Sequence, residues 1–180
     1  MAPAAVVQGQ RISTETLRHE YDLLVLDPQL RQQVVGAAGE KNRKDLTRRL
    51  LAYLIVLRIV GSYARAHQIS VSSTDVDQAI QDAITSVGGE AQLQQELRVR
   101  RLTMAGLRRN IGRELLVNRV VDSIAAAAGL PSTATKEEKG SVFQRWLSQR
   151  LRSSHVEVNP RYGRLDPASG QILPINSTAA

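Results

Sequence analysis

Hydrophobic positions are densest in residues 50–60, LLAYLIVLRIV, the one window of the chain that is apolar on nearly every side. A helix of that kind is enclosed either by other elements or by lipid. A membrane span needs about 20 predominantly apolar residues, whereas Arg48 and Arg49 precede this window, Arg58 interrupts it and Arg65 follows it. The pattern therefore predicts a central core helix running from Asn42 or Lys44 to His67, on the order of 35 Å long, with the other helices wrapped around it.

Ahead of that helix, residues 4–12 (AAVVQGQRI) predict a strand broken by a turn at Gln8-Gly9, with Val6, Val7 and Ile12 as β-formers. Ser13 or Thr14 can cap a helix over 14–26, its Leu17, Tyr21, Leu24 and Val25 facing inward. Asp27-Pro28 ends or redirects it, because the residue before proline is pushed away from helical geometry. Pro28 can then open a short helix over 29–37, before the loop at Gly36 and Gly39. Beyond the central helix, Ile69 and Val71 form a brief extended piece, and Ser72 or Ser73 caps a helix with Asp75 in its positive first turn. Val76, Ile80, Ile84 and Val87 make one apolar stripe on that helix, which Gly88-Gly89 stops. A helix through Leu93 and Leu97 follows.

Thr103 caps the last long helix of this run, with Met104, Leu107, Ile111 and Leu115 on one face, extended by Val117, Val120, Val121 and Ile124; Gly129 and Pro131 end it. Residues 130–135 read as a linker. The helix over 136–153 carries Phe143, Trp146, Leu147 and Leu151 on one side, with Glu137 and Glu138 at its start and Arg150 and Arg152 at its end, matching its dipole. Residues 155–158 alternate like a strand, Asn159-Pro160 and Asp166-Pro167 make turns, and 170–173 can return as a second strand. Such a short hairpin is not stable alone. The strand at 5–12 is its obvious partner, which would bring the two ends of the chain together.

The expected fold is thus mostly α: a helical bundle around a central buried helix, with a small antiparallel β unit formed by the N-terminal strand and the C-terminal hairpin. It is read as one domain over 1–174, made of a strand and bundle (5–129), the linker (130–135) and a closing helix with hairpin (136–174). Residues 175–180 are expected to be disordered.

Composition narrows the chemistry. The 180 residues include no cysteine, which excludes disulfides, thiolate metal sites and a cysteine nucleophile. Aromatic residues make up 3%, so the core is aliphatic and base-stacking platforms are disfavoured. A formal net charge of +7 suits nucleic acid, anionic lipid or acidic polypeptide as partner. His19, His67 and His155 are scattered and form no ligand pair, and Asp75 and Asp77 would point to different sides of a helix. Gly88-Gly89 lacks the strand and the Lys-Ser/Thr of a phosphate loop. The chain is therefore expected not to be an enzyme and to take no cofactor or metal. Arg98, Arg100, Arg101, Arg108, Arg109 and Arg113, with a second cluster of Arg43, Lys44, Arg48 and Arg49, support nucleic-acid binding as the alternative function, though no helix-turn-helix precedes a basic recognition helix. Asn176-Ser177-Thr178 formally matches a glycosylation acceptor.

Several stretches in order resemble the SurA N-terminal-domain family, the substrate-binding part of exported bacterial chaperones and foldases of the SurA and PrsA type, related in design to trigger factor. They are the opening Val7-Gln8-Gly9-Gln10-Arg11-Ile12-Ser13, then Ala66-His67-Gln68-Ile69-Ser70-Val71-Ser72, Asp75-Val76-Asp77, Gly88-Gly89-Glu90, and Leu107-Arg108-Arg109-Asn110-Ile111 leading to Leu115-Leu116-Val117. The likeness covers roughly residues 5–124, and the segment 156–167 is similar to the tail of actinobacterial lipoproteins that carry such a domain. SurA-type foldases usually hold a parvulin isomerase domain before the closing helix; here only 130–135 stands there, which leaves no room for one. The resemblance implies chaperone-like binding of unfolded or extracytoplasmic client polypeptides in the cell envelope, without prolyl isomerase activity. The candidate groove residues for peptide binding are Leu93, Leu97, Leu102, Met104 and Leu107. Exchange of the closing helix between protomers could give a homo-oligomer. Membrane association would need a lipid anchor; residues 1–5 lack the character of a signal peptide, and Met1 is expected to stand for a processed start.

Overall fold

The computed structural model describes residues 2–36 and 38–175. The expectations placed on Met1, on 176–180 and on the Asn176 acceptor lie outside the described residues. The centre is α3 (Gly39–Ala66), 28 residues long, which buries Leu50, Leu51, Leu54, Ile55, Ile59, Val60 and Ala64. It starts earlier than Asn42 and with no side-chain cap. Asn42 instead donates from Nδ2 to the Gln33 carbonyl at 2.6 Å, satisfying the end of the preceding helix from inside the first turn of α3. That preceding helix, α2 (Pro28–Gln33), is shorter than 29–37; Asp27 caps it through Oδ1, which accepts from the Gln29 and Leu30 amides at 2.8 and 3.3 Å.

Two apolar clusters share the length of α3. The first joins its middle turns to α1 (Thr14–Leu24), to the closing helix α7 (Lys136–Ser153) and to the strands, through Leu17, Leu51, Ile55, Leu147, Leu151 and Ile172. The second joins its last turns to α6 (Met104–Ala127) and to α7 through Val60, Ala64, Val120, Ile124 and Val142. Val56, Phe143 and Trp146 pack against both, so the core is continuous along the helix. Three of the aromatics meet here: Phe143 stacks on Trp146, Tyr63 meets Trp146 edge-on at 5.2 Å between centroids, and His67 stacks on Tyr63 at 4.0 Å. The remaining helices, α4 (Ser73–Val87) and α5 (Glu90–Val99), form an arm that packs through α4 onto α6. Ser72 and Asp75 build a capping box at the start of α4, and Thr103, as read from sequence, caps α6.

The termini meet as anticipated, with one change in pairing. Strand β1 (Ala5–Val7) is central in an antiparallel sheet, between β2 (Gln10–Ile12) and β3 (Val156–Val158). Asn159 extends this join, donating from N to the Ala4 carbonyl at 3.0 Å and from Nδ2 to the Pro3 carbonyl at 3.2 Å. The return strand β5 (Ile172–Leu173) pairs not with β3 but with β4 (Arg164–Leu165). The tight turn at Asp166 explains the difference: its amide donates to the Gln171 carbonyl, its carbonyl accepts from Gly170, and its carboxylate accepts from the Ala168 amide and the Ser169 hydroxyl. Such a turn closes the nearest flanking residues on each other, leaving β3 free for β1.

Candidate functional site

The apolar character of α3 is not wholly spent on the core. Leu46, Leu50 and Tyr53 turn towards an open cleft of about 550 Å³ whose other walls are the end of α1, the start of α2 and the beginning of α6. Leu23, Leu24, Leu30 and Leu102 complete an aliphatic lining, while Leu26 and Tyr53 remain 42% and 46% exposed at its mouth. Apolar side chains left open to water in a concave surface, rather than singly on a convex one, mark a place where another apolar group can bind.

Local sequence sets each wall. Asp27-Pro28 breaks α1 from α2 and leaves Leu26 and Leu30 on either side of the corner. The opposite wall is made by the turn between α5 and α6. There Arg101 takes a left-handed backbone, φ 53°, where glycine is the usual choice, and the Leu102 amide closes back on the Leu97 carbonyl at 2.8 Å. The Thr103 hydroxyl then accepts from the Gly106 amide at 3.0 Å, and a Cβ at Gly106 would lie 3.3 Å from that hydroxyl, so glycine permits the close start of α6 beside the cleft.

Across the cleft, Arg113 of α6 grips Glu20 of α1 with both terminal nitrogens, at 2.7 and 3.1 Å. The Arg113 hydrogen bond holds the Glu20 carboxyl below the usual glutamate range, outweighing the opposing effect of its burial, and the charge of Arg109 acts in the same direction. The cleft carries four arginines, Arg49, Arg101, Arg109 and Arg113, against two carboxylates, Glu20 and Asp27. Both carboxylates are committed, one to Arg113 and one to the α2 cap. Arg49, Arg101 and Arg109 make no side-chain ion pair or hydrogen bond among the described residues.

Of the residues proposed from sequence, Leu102 lines this cleft. Leu93 and Leu97 are each 5% exposed, on the buried face of α5, because helical spacing aimed that stripe into the α4–α5 arm. Met104 and Leu107 are half-buried on α6 and are not part of the lining. The lining residues that sequence reasoning missed, among them Leu23, Leu30, Leu46 and Tyr53, come from elements distant in sequence. The signal that could have flagged one of them was Tyr53, a tyrosine in an otherwise aliphatic window.

The two basic clusters meet at the cleft, where Arg49 of one lies beside Arg101, Arg109 and Arg113 of the other. Within them Arg108 pairs with Asp77, Arg113 with Glu20, Arg48 with Asp45 and Lys44 with Glu40, so part of the charge is spent locally. Among the described residues, no three of His, Cys, Asp and Glu converge as metal ligands, and no helix is long and apolar enough to cross a membrane.

No curated protein sequence and no solved structure matches the chain. A family model described as SurA-like N-terminal domain matches residues 1–121, from the N-terminal segment into α6, and so includes every element that walls the cleft. The aliphatic helical cradle and this match over two thirds of the sequence agree, and the chain belongs to the SurA-like N-terminal domain family.

Proposed function

We propose that this protein binds unfolded or extended polypeptides in the cell envelope, without catalysis, as a chaperone-like holder. The observation that carries this reading is the open leucine-lined cleft between α1, α3 and α6. Burial of apolar side chains there is non-directional and makes little demand on client sequence. A second hollow supports an extended occupant over a compact one. It adjoins the cleft at Asp27 and is lined by Gln29, Gln92 and Gln95, whose amides can meet the backbone groups of a passing chain, with Val99 exposed at its edge. The family match is compatible with this role.

The test is suppression of aggregation of a chemically unfolded client by the full chain, compared with the Leu26→Asp and Tyr53→Asp variants. Both positions are exposed, so the fold should tolerate the changes. The expected result is that the wild type keeps the client in solution and that both variants do so less well. A wild type without effect, or variants as effective as the wild type, would overturn the reading.

A further inference from the structure

We infer that the occupant of this cleft is an extended segment in which carboxylates flank aliphatic side chains, so that the domain selects acidic apolar stretches over neutral or basic ones. The inference rests on the peptide-binding reading above and adds the charge of the client. It follows from how the cleft's own charges are disposed. Its carboxylates are used up internally, Glu20 by Arg113 and Asp27 by the cap of α2, whereas Arg49, Arg101 and Arg109 stand exposed at its edge and make no ion pair among the described residues, Arg109 acting on Glu20 only through its charge. Elsewhere Lys44, Arg48, Arg108, Arg119 and Lys139 are held in ion pairs while most other bases are not, so what sets these three apart is their convergence on one apolar cleft. The uncommitted guanidiniums thus sit on three separate elements, α3, the α5–α6 turn and α6, around one apolar floor.

Arg101 adds an independent observation. Helices α4 and α6 end with glycine in the left-handed conformation, Gly88 and Gly129, but the turn beside the cleft places an arginine there at a conformational cost. Gln68 bears the same strain at the end of α3, so a non-glycine residue is tolerated in this role. At position 101 the tolerated side chain is a cation on the cleft.

The floor decides the class of anion. Phosphate backbones gain nothing from a trough of leucines, and bases need aromatic faces to stack on, of which this cleft offers Tyr53 alone. A polypeptide satisfies both features, placing aliphatic side chains on the floor and carboxylates on the guanidinium forks, which match them geometrically.

The experiment uses the full chain and three fluorescein-labelled peptides of one length, alternating Leu or Val with Glu, with Gln or with Lys, read by anisotropy. The expected result is about tenfold tighter binding of the Glu peptide than of the Gln peptide at low salt, a gap that narrows as salt screens it. The Lys peptide should bind weakest. The triple variant Arg49→Gln, Arg101→Gln, Arg109→Gln should lose the gap yet still bind the Gln peptide. A control triple at exposed arginines away from the cleft, Arg18→Gln, Arg145→Gln, Arg152→Gln, changes the net charge equally and should keep it. Equal binding of the Glu and Gln peptides would overturn the charge preference and leave peptide binding standing. Equal losses in both triples would overturn the assignment to the cleft, and no binding of any peptide would overturn both readings. A labelled DNA duplex bound more tightly than every peptide would overturn the class of partner.

Discussion

Removing either member of the Glu20–Arg113 pair should loosen the cleft more than an ordinary surface ion pair would allow. The side chains of Arg113 and Glu20 are 27% and 16% exposed, and the contact is bidentate. Exposed pairs contribute about 0.2–1 kcal/mol, while breaking a fully buried one costs about 3–5 kcal/mol. This sheltered but not sealed pair falls between them, so a double-mutant cycle of Glu20→Ala, Arg113→Ala and the double variant should give a coupling of about 1–2 kcal/mol. Urea denaturation followed by circular dichroism measures it, with an unchanged slope showing that only stability has moved. Acid supplies a second readout. The Arg113 hydrogen bond lowers the folded pKa of Glu20, so its contribution is complete above the ordinary glutamate value of about 4.3 and is lost as pH falls through the depressed folded value. Wild type should therefore lose stability below that pH more steeply than Glu20→Gln. A coupling under about 0.3 kcal/mol, or identical acid profiles, would refute the claim that this pair joins α1 to α6.

Other outcomes follow from single positions. Arg101→Gly should raise unfolding free energy by about 1 kcal/mol, because it relieves the left-handed residue, while weakening capture of the acidic peptide; a destabilised variant in urea would contradict the conformational account. Ser72→Ala removes one hydroxyl from Asp75, whose pKa is held at about 2 by the Ser72 backbone amide first, then by Arg119 and that hydroxyl. Its carboxyl should titrate higher in the variant by NMR yet stay below the ordinary aspartate range, since two of the three donors remain. Ile55→Ala, fully enclosed on α3, should cost about 2–5 kcal/mol in the same denaturation assay, and Ile55→Val about 0.5–1.5. Gly163→Ala should destabilise strongly, because its φ is 128° and a Cβ would come within 2.2 Å of the Leu173 carbonyl oxygen; a variant that melts like wild type would show that β4 and β5 can shift apart freely.

The sequence carried the helices well because their signals are local. Ser72 with Asp75, Thr103, and the Gly88 and Gly129 stops all act within one turn of the residues they delimit. The start of α3 was hidden for the same reason in reverse: no capping side chain marks it, and Asn42, which resembles a helix opener, serves the Gln33 carbonyl. Strand partners were only half legible. The meeting of the two ends followed from the short strands' need for neighbours, but which strand paired with which depended on the Asp166 turn hydrogen bonds. The cleft was least visible, since it exists only where α1, α3 and α6 converge. Leu93 and Leu97 have the same periodicity as lining residues, and only tertiary packing reveals that their stripe faces the α4–α5 arm.

Placing β1 between β2 and β3 has a consequence for biogenesis. The inner strand of the sheet is made before every helix of the bundle, yet its second neighbour follows about 150 positions later in the order of synthesis. Until that late segment emerges, β1 and β2 form a ribbon with one naked edge, open to pairing with any passing strand. Speed of completion, rather than final stability alone, should therefore govern how much newly made protein escapes misassembly, and a co-expressed peptide copying Val156–Val158 and its flanks should compete for that edge.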